Sequence, residues 1–180
     1  MTSVLPVDEI TILPVQPIEQ GRLEEVRQIL EQRGIRVILK PAILRPRGAY
    51  DTRRRQFRAE SLMERARLCT ERPILAVTDG DCYAGELNFV FGMADVGGHV
   101  ALLSLHKLSS AKTHDVFYQR LTKELVHELS HAEGLGHCRS PRCVMRFSNS
   151  LAETDAKSAE LCADCRRRLR DIVSTSKSIA

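Results

Sequence analysis

Tryptophan is absent from this 180-residue chain, and all aromatic residues together make up only 4% of it. Stacking platforms for bases are therefore scarce, which argues against a dedicated nucleic-acid module. No apolar run approaches the roughly 20 residues needed to cross a bilayer, so no membrane segment is expected. The opening stretch, MTSVLPVDEITILPV, lacks a basic segment followed by an apolar run and a small-residue cleavage site, the marks of a secretory leader. An intracellular, cytoplasmic protein is expected. Internal repeats and low-complexity tracts are missing too.

What remains is an ordinary globular composition, 43% hydrophobic and 28% charged, able to build a core without disulfide staples. One domain over residues 1–180 is expected, with a sheet-and-helix subdomain at 1–133 and a smaller C-terminal one at 134–180. The six cysteines in a reducing compartment point to metal binding rather than disulfides. Cys69 and Cys82 stand alone and read as buried free thiols. Cys138, Cys143, Cys162 and Cys165 form two spaced pairs. The formal net charge is +4. Arginines cluster at Arg53–Arg55 and Arg166–Arg168; such runs can meet nucleic acid, but a solvated helix face is the commoner reading.

Apolar patterning predicts an α/β (α+β) fold with a mixed sheet. Strands are expected at Glu9–Val15, Ile35–Leu39, Pro73–Thr78, Asn88–Ala94 and His99–Leu105. A helix with Pro17 in its first turn and a stripe of Leu23, Val26 and Leu30 lies between the first two. That order predicts a parallel pair with a right-handed crossover. Residues 45–55 read as an exposed loop, and Phe57–Cys69 as a second helix. The turn at Asp95–Gly98 fits a hairpin. A long helix is expected from His114 to Ala132, where Phe117, Leu121, Leu125 and Leu129 recur every four residues. His127 lies about 200° around the axis from Leu125, so its face opposes that stripe and can floor a cleft.

The segment HELSHAEGLGHC, residues 127–138, concentrates ligand chemistry. His127 and His131, one helical turn apart, can donate to one zinc. Glu128 points about 100° away from His127, within reach of a bound water without ligating the metal. Zinc lowers the pKa of such a water to about 7, and a carboxylate base can take its proton. Gly134 allows a sharp turn that returns His137 as the third ligand. Three ligands plus water is the open arrangement of a catalytic zinc. This HExxHxxGxxH spacing resembles the metzincin metallopeptidases. The resemblance implies that Met145 forms an apolar base under the metal on a tight turn.

Cys138 directly follows a ligand histidine, and neighbouring side chains of an extended stretch point apart. One zinc is thus not expected to hold both. Cys138, Cys143, Cys162 and Cys165 suit a second, closed tetrahedral zinc, giving two Zn2+ per chain. The whole pattern, HExxHxxGxxHC-x4-C-x-M followed by CxxC, is similar to that of the archaemetzincins, a branch of the metzincins, and TDGDCYAGELNFVFGMA also resembles them. The resemblance implies a twisted sheet above the cleft, a smaller C-terminal lobe below and zinc between. It also implies an edge strand, about Asn88–Ala94, that pairs with extended peptide. Where several metzincin branches carry a tyrosine two residues after the methionine, this chain has Phe147. The expected function is peptide-bond hydrolysis with Glu128 as general base, on a peptide or protein substrate. The alternative is a peptide-binding module with an inactive or weakly active zinc site. A redox role for the Cys162–Cys165 pair is a further competing reading, though no thioredoxin-like order surrounds it.

Overall fold

The apolar runs at 10–15, 74–78 and 100–105 are too short for buried helices and rich in residues that suit a sheet interior. In a computed structural model describing residues 7–177 they form its centre. The chain begins with β1 (Glu9–Pro14), α1 (Gln20–Gln32) and β2 (Arg36–Leu39). A short hairpin of β3 (Tyr50–Asp51) and β4 (Gln56–Arg58) leads into α2 (Ala59–Arg67). Strands β5 (Ile74–Thr78), β6 (Cys82–Tyr83), β7 (Gly92–Asp95) and β8 (Val100–Ser104) follow. Three helices complete the chain: α3 (His114–Ala132), α4 (Leu151–Ala156) and α5 (Ala163–Lys177).

The main sheet runs in the order β2-β1-β5-β8-β7. Its first four strands are parallel, and β7 closes one edge antiparallel to β8, with Met93 opposite Leu102. Alternation along each strand serves two layers. Leu75, Val77, Ala101 and Leu103 face one core with Leu23, Val26 and Leu30 of α1 and Leu121, Leu125 and Leu129 of α3. Ile74, Ala76, Val100 and Leu102 face the other, with Leu62 and Met63 of α2. A smaller sheet, β3-β4-β6, flanks this second core. No helix among the described residues is long and apolar enough to cross a membrane.

Several boundaries differ from the sequence pattern. Helix α1 starts at Gln20, leaving Pro17 outside it. The Pro17 carbonyl accepts from Asp79 N (2.7 Å) and Thr78 Oγ1 (3.1 Å), which ties this segment to the end of β5. The expected loop at 45–55 contains β3, and Gln56–Arg58 is strand rather than helix because Phe57 pairs with Tyr50 and Cys82. The edge strand is Gly92–Asp95, shorter and later than 88–94. Asn88 is held outside the ladder by Gln56 Nε2, which donates to its carbonyl at 2.8 Å. Cys82 is buried as expected, but Cys69 is partly exposed at the end of α2. Helix α3 has the expected limits. Its histidine face is nonetheless buried as well, because the chain from Leu135 to Lys157 folds over it.

Leu102 lies at the middle of β8 with no solvent exposure. Leu102→Ala is expected to destabilise the fold by about 2–5 kcal/mol, measured as a lowered urea midpoint with unchanged slope.

Candidate functional site

Helix α3 delivers the site from its last two turns. Thr113 caps its start by accepting from Val116 N, and Glu133 ends it. Gly134 then adopts φ +110°, and a Cβ there would lie 3.4 Å from Ile172 Cγ2 and 3.9 Å from the Gly97 Cα. The space would admit a Cβ, but that positive φ strains any residue with a side chain, which is why glycine stands here. The chain reverses, and His137 returns beside His127 and His131. Ring centroids lie 4.6 Å apart for 127–131, 4.7 Å for 131–137 and 5.5 Å for 127–137.

Hydrogen bonding fixes the rings. His127 Nδ1 lies 2.8 Å from the Val144 carbonyl, and His131 Nδ1 lies 2.6 Å from the Leu135 carbonyl. A carbonyl can only accept, so each proton belongs on Nδ1 and each Nε2 presents a lone pair. These two Nε2 atoms are 3.2 Å apart, with no proton to share. A tetrahedral zinc with Zn–N near 2.0–2.1 Å would set its nitrogens about 3.3–3.4 Å apart. The donor set therefore fits that cation. Burial depresses the pKa of all three imidazoles, His131 to about 4, keeping them in the neutral form that binds metal.

Four sulfurs gather beside this centre. Cys138, Cys143, Cys162 and Cys165 have their Sγ atoms within 4.8 Å of one another. The Cys138–Cys162 separation is 3.9 Å, against about 3.8 Å for a tetrahedron of Zn–S bonds near 2.3 Å. Ser140 N donates to Cys138 Sγ, and Cys162 N to Cys143 Sγ, each at 3.4 Å. The Cys165 amide donates to Cys162 and draws its thiol down to about 7, while burial raises those of Cys143 and Cys165. Between the two groups runs a turn on which Arg146 N bonds the Cys143 carbonyl and Cys138 N bonds the Met145 carbonyl. Met145 on that turn has no solvent exposure. The Phe147 ring meets His137 edge-on at 5.2 Å.

A cleft of about 240 Å³ lies over the histidines, between the β7 edge and the 147–149 segment. Glu128 reaches into it from α3. Burial, then the nearby Glu124 carboxylate, pushes the Glu128 pKa well up, and Lys157 opposes the rise. Three groups absent from the motif reading appear here. A Cβ on Gly92 would come within 2.5 Å of Glu128 Cγ and 2.7 Å of its Cδ and Oε1, so the bare backbone of β7 makes room for this carboxylate. Glu124 and Lys157 form an ion pair of 3.0 Å beside it. Glu124 was recoverable from helical spacing, three residues before His127. The isolated glycine of NFVFGMA was a signal of close backbone approach. Lys157 had no local signal.

Comparison with known proteins agrees with this geometry. Residues 47–171 match the model of Peptidase family M54. The class is therefore a zinc metallopeptidase. An archaemetzincin of Natronomonas pharaonis is 41% identical over 133 residues, covering 69% of this chain and 77% of the relative. One of Pyrococcus furiosus is 33% identical over 179 residues, covering 91% and 93%. The crystal structure of Archaeoglobus fulgidus archaemetzincin complexed with malonate superposes with a TM-score of 0.81 at 34% identity. It covers 89% of this chain and 99% of that one. The chain belongs to this family, the archaemetzincins.

Gly92→Ala is expected to displace Glu128 by about 1 Å and lower peptidase turnover on the order of 100-fold. Zinc content, measured by elemental analysis, should stay unchanged.

Proposed function

We propose that His127, His131 and His137 hold the catalytic zinc and that Glu128 is the general base of peptide-bond hydrolysis. The convergence of three neutral imidazoles on one point beside a cleft-facing carboxylate carries this reading. When bound, zinc supplies Lewis acidity that acidifies water and polarises a carbonyl. Glu128 takes the proton of the attacking water on a carboxylate oxygen and passes it to the leaving amine. Its raised proton affinity, caused by burial and then by Glu124, favours acceptance of that proton. Phe147 brings no hydroxyl to the cleft, so negative charge developing on the carbonyl oxygen would have to be met by a bound metal or by other groups.

Among the described residues, strand β7 pairs only with β8 in the main sheet. Its outer backbone edge borders the cleft, which supports binding of an extended substrate by added-strand pairing. The four cysteines would hold a second zinc with no open position, a structural site. That site would anchor the turn carrying Val144 and Met145.

Glu128→Ala is expected to abolish cleavage of a mixed peptide library while both zincs remain bound; retained turnover would sink the general-base assignment. Cys143→Ser is expected to reduce the zinc count from two to one per chain and to lower the melting temperature. A zinc count unchanged at two would remove Cys143 from the ligand set.

A further inference from the structure

The cleft continues past Glu128 toward the start of α3 as a recess. Its walls include Phe89 and Phe91, whose rings meet edge-on at 5.0 Å. The almost fully buried Glu124 and Lys157 form its floor, and Ser148 and Asn149 also line it. Glu124 precedes Glu128 by one turn of α3, about 6 Å along the axis.

The floor is polar where a core would be apolar. The Lys157 and Glu124 side chains are 1% and 3% exposed. Lys157 Nζ bonds Glu124 Oε1 at 3.0 Å and the Arg146 carbonyl only at 3.5 Å, leaving N–H capacity over. Ser148 Oγ is buried with no hydrogen-bond partner. Glu124 Oε1 also accepts from Thr154 Oγ1 of α4 at 3.3 Å, but the pair adds to a fastening of α4 to α3 that other side chains already supply. Arg120 already grips both Asp155 carboxylate oxygens, and Lys123 donates to the Thr154 and Asp155 carbonyls. Apolar side chains of equal volume commonly pack as stably as a buried ion pair. The pair's placement in the cleft therefore points to a ligand.

We propose that this recess receives the side chain of the residue following the scissile bond and selects an amide, asparagine or glutamine. The inference rests on the peptidase reading above. Glu128 has to reach the leaving amine, and the carbon next to that nitrogen carries the side chain in question, which enters the recess beside Glu128. The phenylalanine walls cover an apolar stem. An amide oxygen accepts from Lys157, and the amide nitrogen donates to Ser148 or Glu124. The Glu124–Lys157 pair is neutral as a unit, so a charged side chain of either sign adds an uncompensated buried charge. An aliphatic side chain leaves Ser148 and Lys157 capacity unmet.

The test uses peptide hydroxamates, which anchor on the metal and place one side chain past Glu128: glutamine, aspartate, lysine or leucine. Binding to the zinc-loaded full chain is measured by calorimetry and needs no turnover. The glutamine compound should bind at least about tenfold more tightly than the others. Glu124→Leu/Lys157→Met, which removes the charges together, should shift the preference to leucine, with fold and zinc content checked by circular dichroism and elemental analysis. If that double variant fails to fold, Ser148→Ala should still narrow the advantage of glutamine over leucine. Equal binding across the series, no binding, or an amide preference that survives the substitutions overturns the recess assignment. Glutamine-selective binding without cleavage of any peptide library sinks the peptidase reading and leaves the recess standing.

Discussion

The hydrogen bond from His127 Nδ1 to the Val144 carbonyl joins two parts of the chain that have little else in common. On one side stands a helix anchored in the sheet core by Leu121, Leu125 and Leu129. On the other is a short segment that runs between two pairs of clustered cysteines. Val144 sits between Cys143 and Met145, and its own amide bonds the Glu160 carbonyl at 3.0 Å. Whatever holds the cysteines together thereby holds the carbonyl that fixes the tautomer and direction of a proposed metal ligand. His137, bonded directly to Cys138, is subject to the same anchor.

This dependence explains why the smaller part of the molecule is so rich in ligand chemistry and so poor in apolar bulk. From 136 to 165 the fully shielded apolar side chains are few: Cys143, Val144, Met145, Leu161 and Cys165. A segment that buries so little apolar surface gains from a cross-link, and the four cysteines, with their Sγ atoms within 4.8 Å of one another, are placed to provide one through a proposed cation. The polar contacts of α4 with α3, through Arg120, Lys123 and Glu124, add a second attachment. Together they press the 147–149 wall against the cleft.

Burying ionisable groups beside the histidines costs solvation, and the structure offsets much of that cost locally. Imidazoles respond by staying neutral, Glu124 is matched by Lys157, and Glu128 is left with a raised proton affinity. The glycine at 92 belongs to the same design. It lets the sheet edge approach the helix closely enough for one cleft to hold both the backbone that can bind peptide and the carboxylate that can serve it.

Local sequence determined the elements whose cause is local. The limits of α3 follow from a four-residue apolar repeat and a threonine cap, and the proposed ligands from helical spacing plus one glycine. The buried strands follow from their continuous apolar runs. Tertiary structure decided the rest. Pro17 lies outside α1 because Asp79 and Thr78 claim its carbonyl. Residues 56–58 are strand because Phe57 finds partners in β3 and β6. The edge strand begins at Gly92 because Gln56 holds Asn88 away. Lys157, 33 residues after Glu124, joins the cleft only through the docking of α4. Periodicity and caps act within a turn or two of chain. Pairing, burial and charge matching act between segments that only the folded chain brings together.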